Sequence, residues 1–249
     1  MAWQTPKTDW SAEDGVRDAD LNRIEANILE LYKGESVKAQ QTIYVATTGN
    51  DTNGSGTSAS PYATIAKALS MIPKNLNGNN INIHLAAGTY SEAVTIKGYH
   101  GGTLSLISVS SSTTVTVTSL TVDNSVVAIS QIGLRASAAV GFIVTNNGLL
   151  FTTGNLVATG ASTGLNVNTG GAAYIGGTLT SSGTSIVMAG NLGRAYIGTP
   201  SGGGILTATA GGIIAYGNGA QQTFTSNGGR VFTGSQTGSG NVLANAEVL

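Results

Sequence analysis

A phrase of alternating apolar and small polar residues recurs through the second half of the chain. Each copy closes with residues that include Asn or Gly, which is typical of a short strand followed by a turn. The copies begin at intervals of 22, 23, 21, 20 and 18 residues, at Leu120, Phe142, Leu165, Ile186, Leu206 and Phe224. One such unit cannot bury its own apolar face, so successive units must stack on one another. The repeat therefore predicts a β-solenoid.

A second series, of aromatic residues, runs in step with the first. Its members are Phe151, Tyr174, Tyr196 and Tyr216, which lie 23, 22 and 20 residues apart. Two strand phrases per unit suit stacked coils, whereas a β-sandwich would show hairpins every ~8–12 residues. If the rings point outward, neighbouring coils hold them ~4.8 Å apart. The ladder is then a candidate ligand-binding surface, with an internal aromatic stack and a subunit interface as the alternatives.

Charge and glycine divide the chain into unlike segments. Residues 1–35 carry eight of the 12 acidic residues, whereas residues 101–249 carry five charges and 28 of the 36 glycines. We expect a helical attachment or trimerisation segment at 1–38 and a cap with a short helix at 39–102. About five or six coils follow at 103–232, and a C-terminal arm at 233–249.

Composition also excludes several classes of function. The chain has no Cys and only two His, so disulfides, thiolate metal sites and a zinc centre are not expected. A net charge of −1 argues against a nucleic-acid partner. No apolar run is long enough for membrane insertion, and no secretory signal is visible. We therefore expect no cofactor and no metal ion.

An apolar seam runs along the helix expected near the N-terminus. Leu21, Ile24, Ile28 and Leu31 follow the 3-4-3 spacing of a coiled-coil core. Two heptads are too short to be stable as an isolated helix, and the body offers no long helix as a partner. We expect the seam to be an oligomer interface or to dock in a larger assembly. Packing against the rest of its own chain is the alternative.

Residues 60–72 have the pattern of an amphipathic helix that closes one end of the solenoid. Ser60 suits the N-cap, Pro61 suits the first helical position, and Pro73 ends the run. The expected apolar face consists of Ile65, Ala68, Leu69 and Ile72.

The opening of the predicted solenoid carries three motifs in a fixed order. They are Ile43-Tyr-Val-Ala-Thr-Thr-Gly-Asn-Asp-Thr-Asn-Gly, Ser60-Pro-Tyr-Ala-Thr-Ile-Ala-Lys-Ala-Leu and Ile81-Asn-Ile-His-Leu-Ala-Ala-Gly-Thr-Tyr. Over residues 42–97 this order resembles the opening of pectate-lyase-like right-handed parallel β-helix proteins. The resemblance implies an all-β fold, a right-handed parallel β-helix closed by a capping helix.

The head of the chain carries a second resemblance. From Trp10 through Asp20-Leu-Asn-Arg-Ile-Glu-Ala-Asn-Ile it is similar to N-terminal segments of bacteriophage tail fibre and tail spike proteins. The two resemblances together imply a homotrimeric virion appendage, made in the host cytoplasm, that residues 1–38 attach to other tail or baseplate proteins. They imply further that the appendage binds a bacterial surface glycan or a cell-wall receptor.

Many β-helix spikes of that family cleave glycans, so the acidic residues of the body matter. A glycosidase needs two carboxylates about 5–9.5 Å apart, yet Asp123 is the only acid of the body before Glu247. We interpret Asp123 as a turn residue. Candidate bases for a lyase are Arg135, Arg194 and Arg230, and no acidic cluster accompanies them. The sequence therefore predicts a binding protein that is not an enzyme.

Two other functions stay open. One is a glycan-depolymerising tail spike whose site lies between subunits, where Asp123 would meet Glu92 of a neighbour. The other is a bacterial β-helix adhesin.

The stretch Asp51-Thr-Asn-Gly-Ser-Gly begins like a calcium loop, but Tyr62 stands where the bidentate Glu belongs, so we interpret it as a turn. We expect His84 to be exposed or to lie at an interface.

Overall fold

Parallel strands make up nearly all of the described chain. The computed structural model describes residues 20–25, 27–28, 39–108, 113–130, 132–160, 162–201, 205–216 and 224–233. Its 18 strands form one connected ladder, and all pairings between them are parallel. The predicted β-solenoid is confirmed.

Most of the strands are short because they end where the coil turns a corner. Their bounds are β1 (Gln41–Val45), β2 (Asn80–Leu85), β3 (Gly88–Lys97), β4 (Thr103–Ser108), β5 (Thr113–Asp123), β6 (Val126–Ser130), β7 (Ile132–Ala136), β8 (Val140–Thr145), β9 (Leu149–Thr152), β10 (Leu156–Ala158), β11 (Thr163–Val167), β12 (Ala172–Ser181), β13 (Ser185–Ala189), β14 (Arg194–Ser201), β15 (Ile205–Thr209), β16 (Ile213–Tyr216), β17 (Phe224–Asn227) and β18 (Arg230–Thr233). A helix, α1 (Ile65–Ser70), lies between β1 and β2, and residues 20–25 and 27–28 of the head are helical.

Each coil contributes a segment to three faces, which we call sheets 1, 2 and 3. Sheet 1 contains β1, β2, β4, β6, β9, β16, β18 and the first parts of β12 and β14. Sheet 2 contains β7, β10, the first parts of β3 and β5, and the second parts of β12 and β14. Sheet 3 contains β8, β11, β13, β15, β17 and the second parts of β3 and β5.

The stack contains about five turns, and regular pairing begins before the boundary expected at residue 103. Five coils with one segment in each sheet lie between residues 103 and 209. β2 and β3 already pair in register with β4 and β5, from Ile81 opposite Leu104 to Lys97 opposite Asp123. The helix α1 contacts β1 and β3 at the N-terminal end of this stack.

The core runs along the inside of the coils, because alternate residues of each strand point inward. In sheet 3 one inward column consists of Leu120, Phe142, Leu165, Val187 and Leu206, all of them buried. The repeat predicted Ile186 in this column. Instead the register shifts between Ser185 and Val187, where β13 pairs with β15. The expected alignment was therefore wrong by one residue in that coil.

The capping helix is shorter than the predicted residues 60–72. Ser60 and Pro61 belong to the preceding loop, where Asn50 N–H donates to Pro61 O (3.0 Å) and Tyr62 forms a bridge with Val45. Thr64 is the N-cap, and its Oγ1 accepts from Lys67 N–H (3.0 Å). The expected apolar face was correct, since its members Ile65, Ala68, Leu69 and Ile72 are all buried.

Candidate functional site

Three aromatic rings stack on the outer face of sheet 1. Phe151, Tyr174 and Tyr196 are in register on β9, β12 and β14. The ring centroids of Phe151 and Tyr174 are 5.2 Å apart with planes at 17°, and those of Tyr174 and Tyr196 are 4.7 Å apart with planes at 7°. Phe151 is 40% exposed and Tyr174 is 39% exposed. We call these three residues the aromatic stack.

The spacing of the aromatic stack follows from the parallel register. Strands of a sheet lie about 4.8 Å apart, which is close to the separation at which offset aromatic rings attract each other. Each ring also lies three residues after a glycine at the corner between sheets 3 and 1: Gly148, Gly171 and Gly193. A Cβ atom at Gly193 would lie 2.2 Å from Val167 O of the preceding coil. The corner therefore requires glycine. Because the aromatic residue follows this glycine by three positions in each of these coils, the rings lie in register.

Tyr216 does not belong to the aromatic stack. It pairs with Ile197, faces the interior and is only 9% exposed. Ala215 pairs with Tyr196 and takes the outward position instead. The corner glycines Gly193 and Gly212 are 19 residues apart, so this coil is shorter than the ones before it. Alignment on the corner glycines, rather than on the aromatic residues, would have revealed the change.

Small residues border both ends of the aromatic stack. Ala128 pairs with Phe151 at one end, and Ala215 pairs with Tyr196 at the other. A methyl group covers little of a ring, and among the described residues no other ring stacks on the outer face of Phe151 or of Tyr196. The two inner faces of Tyr174 are already in contact with Phe151 and Tyr196. This surface therefore presents two ring faces, one at each end of the aromatic stack, and a line of ring edges along its side.

A shallow groove of about 590 Å³ runs along the corner that precedes the aromatic stack. Its wall includes Asn146, Asn147, Asn191 and Leu192, all with a left-handed backbone (φ 50°, 60°, 47° and 65°). Asparagine adopts this conformation readily, whereas leucine does so at a cost. Leu192 is nevertheless 67% exposed. A left-handed and exposed leucine is uncommon, which makes Leu192 a candidate for ligand contact, and sequence reasoning missed it.

The outer faces of sheets 1 and 3 differ in chemistry. Around the aromatic stack, Leu149, Ala172 and Ile213 form a partly exposed apolar column together with the exposed Arg194. The outer face of sheet 3 instead carries Thr121, Ile143, Asn166, Met188 and Thr207 in one column. Among the described residues, aromatic rings stack on one another only on sheet 1.

Asp123 is bound within its own chain. Its Oδ1 accepts from Asn146 Nδ2 (3.0 Å), and Lys97 Nζ lies 3.0 Å from Oδ2. These two partners hold the pKa of Asp123 below its ordinary value, with the Asn146 hydrogen bond as the larger cause. A carboxylate kept ionised in this way is a poor general acid.

The carboxylates of Asp51 and Glu92 hold the start of α1. Asp51 accepts from Ala63 N–H (2.7 Å), Thr64 N–H (3.1 Å) and Thr64 Oγ1 (2.7 Å). Burial raises the pKa of Asp51, but these hydrogen bonds outweigh burial and lower it overall. The two oxygens of Glu92 accept from Ile65 N–H (2.9 Å) and Ala66 N–H (2.8 Å). The predicted turn at Asp51 therefore also binds the start of the capping helix by hydrogen bonds.

The other predicted residues lie apart from the aromatic stack. In the head, Leu21, Ile24 and Ile28 are helical and exposed, while Leu31 lies outside the described residues. Arg135 is exposed on sheet 2, and the side chain of Arg230 lies outside the described part.

His84 is partly buried on sheet 1. Its ring centroid lies 4.9 Å from that of Tyr44. Burial lowers the pKa of this imidazole.

The fold defines the chain as a parallel β-helix protein. Residues 47–98, which include α1, β2 and β3, match the model of a family described as "Protein of unknown function (DUF1565)". No curated protein and no solved structure matches the chain. Within the described residues no helix has the length and apolar character needed to cross a membrane. The same residues contain no cluster of three or more His, Cys, Asp or Glu side chains that could hold a metal ion.

Proposed function

We propose that this chain is a non-catalytic, glycan-binding appendage protein of a bacteriophage, of the tail fibre or tail spike type. The aromatic stack on the outer face of sheet 1 is the observation that carries the proposal. Exposed aromatic rings beside asparagine side chains are suited to sugars, which have an apolar C–H face and many hydroxyl groups. The resemblance of residues 42–97 to pectate-lyase-like β-helix proteins, together with that of the head to bacteriophage tail fibre and tail spike proteins, supports the same function.

A sugar ring binds on the ends of the aromatic stack rather than along its side. The C–H face of a pyranose is slightly positive and contacts the negative face of an aromatic ring. Within the aromatic stack, Phe151 and Tyr196 each have one ring face that no other ring of the stack contacts, on the side of Ala128 and of Ala215 respectively. The hydroxyls of Tyr174 and Tyr196 project from the ring edges and donate to sugar oxygens. Asn191, in the corner groove, adds amide donors and acceptors.

The contacts of the acidic residues support binding without cleavage. Asp123 is bound by Asn146 and Lys97, and Glu92 is bound by the first residues of α1. Each carboxylate already has partners in its own chain. A depolymerising site that joins the two across a subunit boundary would have to break these contacts.

Assembly as a homotrimer in the virion is the second part of the proposal. In it, right-handed β-helices lie side by side, and residues 1–38 attach them to other tail or baseplate proteins. Leu21, Ile24 and Ile28 support it, because three exposed apolar side chains at coiled-coil spacing lack a partner within a single described chain. Native mass spectrometry checks it. A mass near three times that of one chain is expected, and a monomer would contradict the assembly.

Glycan binding is tested with a panel of purified capsular polysaccharides and lipopolysaccharides, by biolayer interferometry. The variant Ala215→Leu keeps every ring but fills the space above Tyr196, and we expect it to weaken binding by about tenfold or more. Thr121→Leu places a leucine on the outer face of sheet 3, away from the aromatic stack, and should bind like the parent. Equal affinity of the two variants would contradict a site at the Tyr196 end of the aromatic stack. New reducing or unsaturated ends in the glycan would favour the depolymerising spike instead.

The variant Leu192→Gly distinguishes an effect on glycan binding from an effect on stability. Glycine relieves the left-handed backbone of Leu192 (φ 65°), so the variant should be as stable as the parent or up to about 1 kcal/mol more stable. If the corner groove contacts glycan, the same variant binds more weakly. Unchanged affinity would exclude the groove from the site and leave the aromatic stack alone.

A further inference from the structure

One edge of β3 has no partner strand in the part of the chain that the structure describes. β3 pairs along its other edge with β5, from Gly88 opposite Val115 to Lys97 opposite Asp123. Because β3 is the first strand of sheets 2 and 3, no earlier coil covers it. An open edge presents backbone N–H and C=O groups to any extended chain that reaches it.

The hydrogen bonds at the end of β3 identify the groups on the open edge. Gly98 N–H donates to Asp123 O (3.0 Å), toward β5. Lys97 O accepts from Lys74 Nζ (2.8 Å), on the opposite side. Neighbouring residues of a strand direct their backbone groups to opposite edges. Ala93 and Thr95 therefore present N–H and C=O on the same open edge as Lys97.

This edge lies in a groove between β3 and α1. The groove has a volume of about 570 Å³ and is lined by Ala93, Val94 and Thr95 on one side and by Ala66, Leu69 and Ser70 on the other. Leu69 and Val94 are buried and form an apolar floor, whereas Ala93 and Thr95 are exposed. A strand edge beside an apolar floor is the arrangement by which many domains recognise extended peptides.

The two ends of the groove differ in charge. At one end, the negative charge of Glu92 is compensated because both of its oxygens accept hydrogen bonds from backbone N–H groups at the start of α1. At the other end Lys74 Nζ lies 3.6 Å from the centroid of the Tyr99 ring. Within the described residues Lys74 has no carboxylate partner. The Lys74 end therefore favours an acidic group on whatever enters the groove.

We propose that this groove binds an extended peptide segment of a partner protein, which adds to the open edge of β3 as a further strand. The segment runs parallel to β3, as the neighbouring strands of the solenoid do. Its C-terminal end then lies beside Lys74 and carries a carboxylate. An apolar side chain of the segment packs on Leu69 and Val94. This site is independent of the aromatic stack, and its partner is a protein rather than a glycan.

The first test uses the full chain and a fluorescein-labelled pentapeptide of sequence TVTVD, followed by fluorescence anisotropy. We expect saturable binding. N-methylation of the peptide amides that pair with β3 keeps the side chains and removes the donors, so affinity should fall by about tenfold or more. A peptide with Lys in place of the final Asp should lose several-fold. Equal binding of the parent and N-methylated peptides would overturn the proposal.

The second test changes the protein. Thr95→Pro removes an N–H from the open edge but leaves the ladder to β5 intact, a placement that edge strands tolerate. Thr95→Val keeps the N–H and is the matched control. We expect Thr95→Pro to lose peptide binding about tenfold and Thr95→Val to retain it. Equal affinity of these two variants would contradict strand addition.

Hydrogen exchange of the parent chain keeps the proposal testable if Thr95→Pro does not fold. The amides of Ala93 and Thr95 should exchange fast without peptide and slowly at saturating peptide. Those of Val94 and Ile96, which face β5, should be slow in both states. Protection of Thr95 in the free chain would show that its edge is already covered and would overturn the proposal.

Discussion

The N-terminal end of the solenoid and its later coils are stabilised by different contacts. At the N-terminal end, the charged side chains of Asp51 and Glu92 bind backbone N–H groups of the capping segment, and Lys97 pairs with Asp123. From residue 132 to residue 216 the only charged residues are Arg135 and Arg194. There, each coil rests on the backbone and the apolar core of its neighbour.

The difference shows what an end requires that a repeat does not. A coil in the middle of the stack finds hydrogen-bond partners on the coils before and after it. The capping helix lies outside this ladder, so the backbone N–H groups at its start need side-chain acceptors. Five donors, the backbone N–H groups of Ala63, Thr64, Ile65 and Ala66 and the hydroxyl of Thr64, are bound by two carboxylates. Substitutions that remove core packing should therefore destabilise the later coils most, whereas substitutions that remove a charge should destabilise the N-terminal end most.

The largest expected effect comes from the core of the later coils. Phe142 is fully buried between Leu120 and Leu165. Phe142→Ala should lower the free energy of unfolding by about 4 kcal/mol, because it removes apolar contacts and leaves a cavity. Phe142→Leu, which keeps most of the volume, should lose much less. Urea denaturation measures both. A loss below about 1 kcal/mol for Phe142→Ala would contradict a packed interior at this coil.

The second-largest expected effect is the loss of stability at a corner glycine, measured against the loss at a glycine near the N-terminal end. A Cβ at Gly193 meets Val167 O at 2.2 Å, whereas Gly98 has no neighbouring atom within 4 Å and a φ of +71°. Gly193→Ala should cost about 3 kcal/mol because two coils must move apart. Gly98→Ala should cost about 1 kcal/mol, from the left-handed backbone alone. Thermal denaturation of the pair measures the difference, and equal losses would show that close coil contact does not determine the corner.

These corners also explain how much of the fold could be predicted. The repeat indicated a β-solenoid correctly, because every coil reuses the same alternation of apolar and small residues. It failed where coil length changes. Ile186 and Tyr216 were assigned by residue type, and in the structure Val187 and Ala215 occupy those positions. The corner glycine is the more reliable marker, since backbone contact leaves no room for another residue there.

The capping helix shows a second reason for error. Its expected start at Ser60 rested on local capping preferences. The actual start is set by Asp51, 13 residues before Thr64, and by Glu92, 27 residues after Ile65. Contacts over such distances have no signature in a single sequence. The open edge of β3 could not be predicted either, because it depends on which strand comes first in each sheet.

A smaller effect is expected from the charge at the capping helix. Glu92→Gln leaves one oxygen for two N–H donors and removes a negative charge at the start of α1, so stability should fall by about 1 kcal/mol. The charge of Glu92 also adds to burial in raising the pKa of Tyr90 to about 12. The variant should therefore lower that pKa, which is measured by the difference in tyrosinate absorbance between the variant and the parent during a pH titration. An unchanged Tyr90 titration would contradict the position of this carboxylate.

The smallest effect concerns Asp123, and its sign follows from the lowered pKa. Asn146 and Lys97 favour the ionised carboxylate in the folded chain, whereas in the unfolded chain Asp has a pKa of about 3.9. The stabilisation is therefore present above about pH 4 and is lost as pH falls through the folded pKa. Asp123→Asn should be less stable than the parent at pH 6, by under about 1 kcal/mol because Lys97 is exposed. The difference between the two should shrink toward pH 3, while Asp51 affects both chains equally. A difference that is independent of pH would show that Asp123 stabilises the turn by its shape and not by its charge.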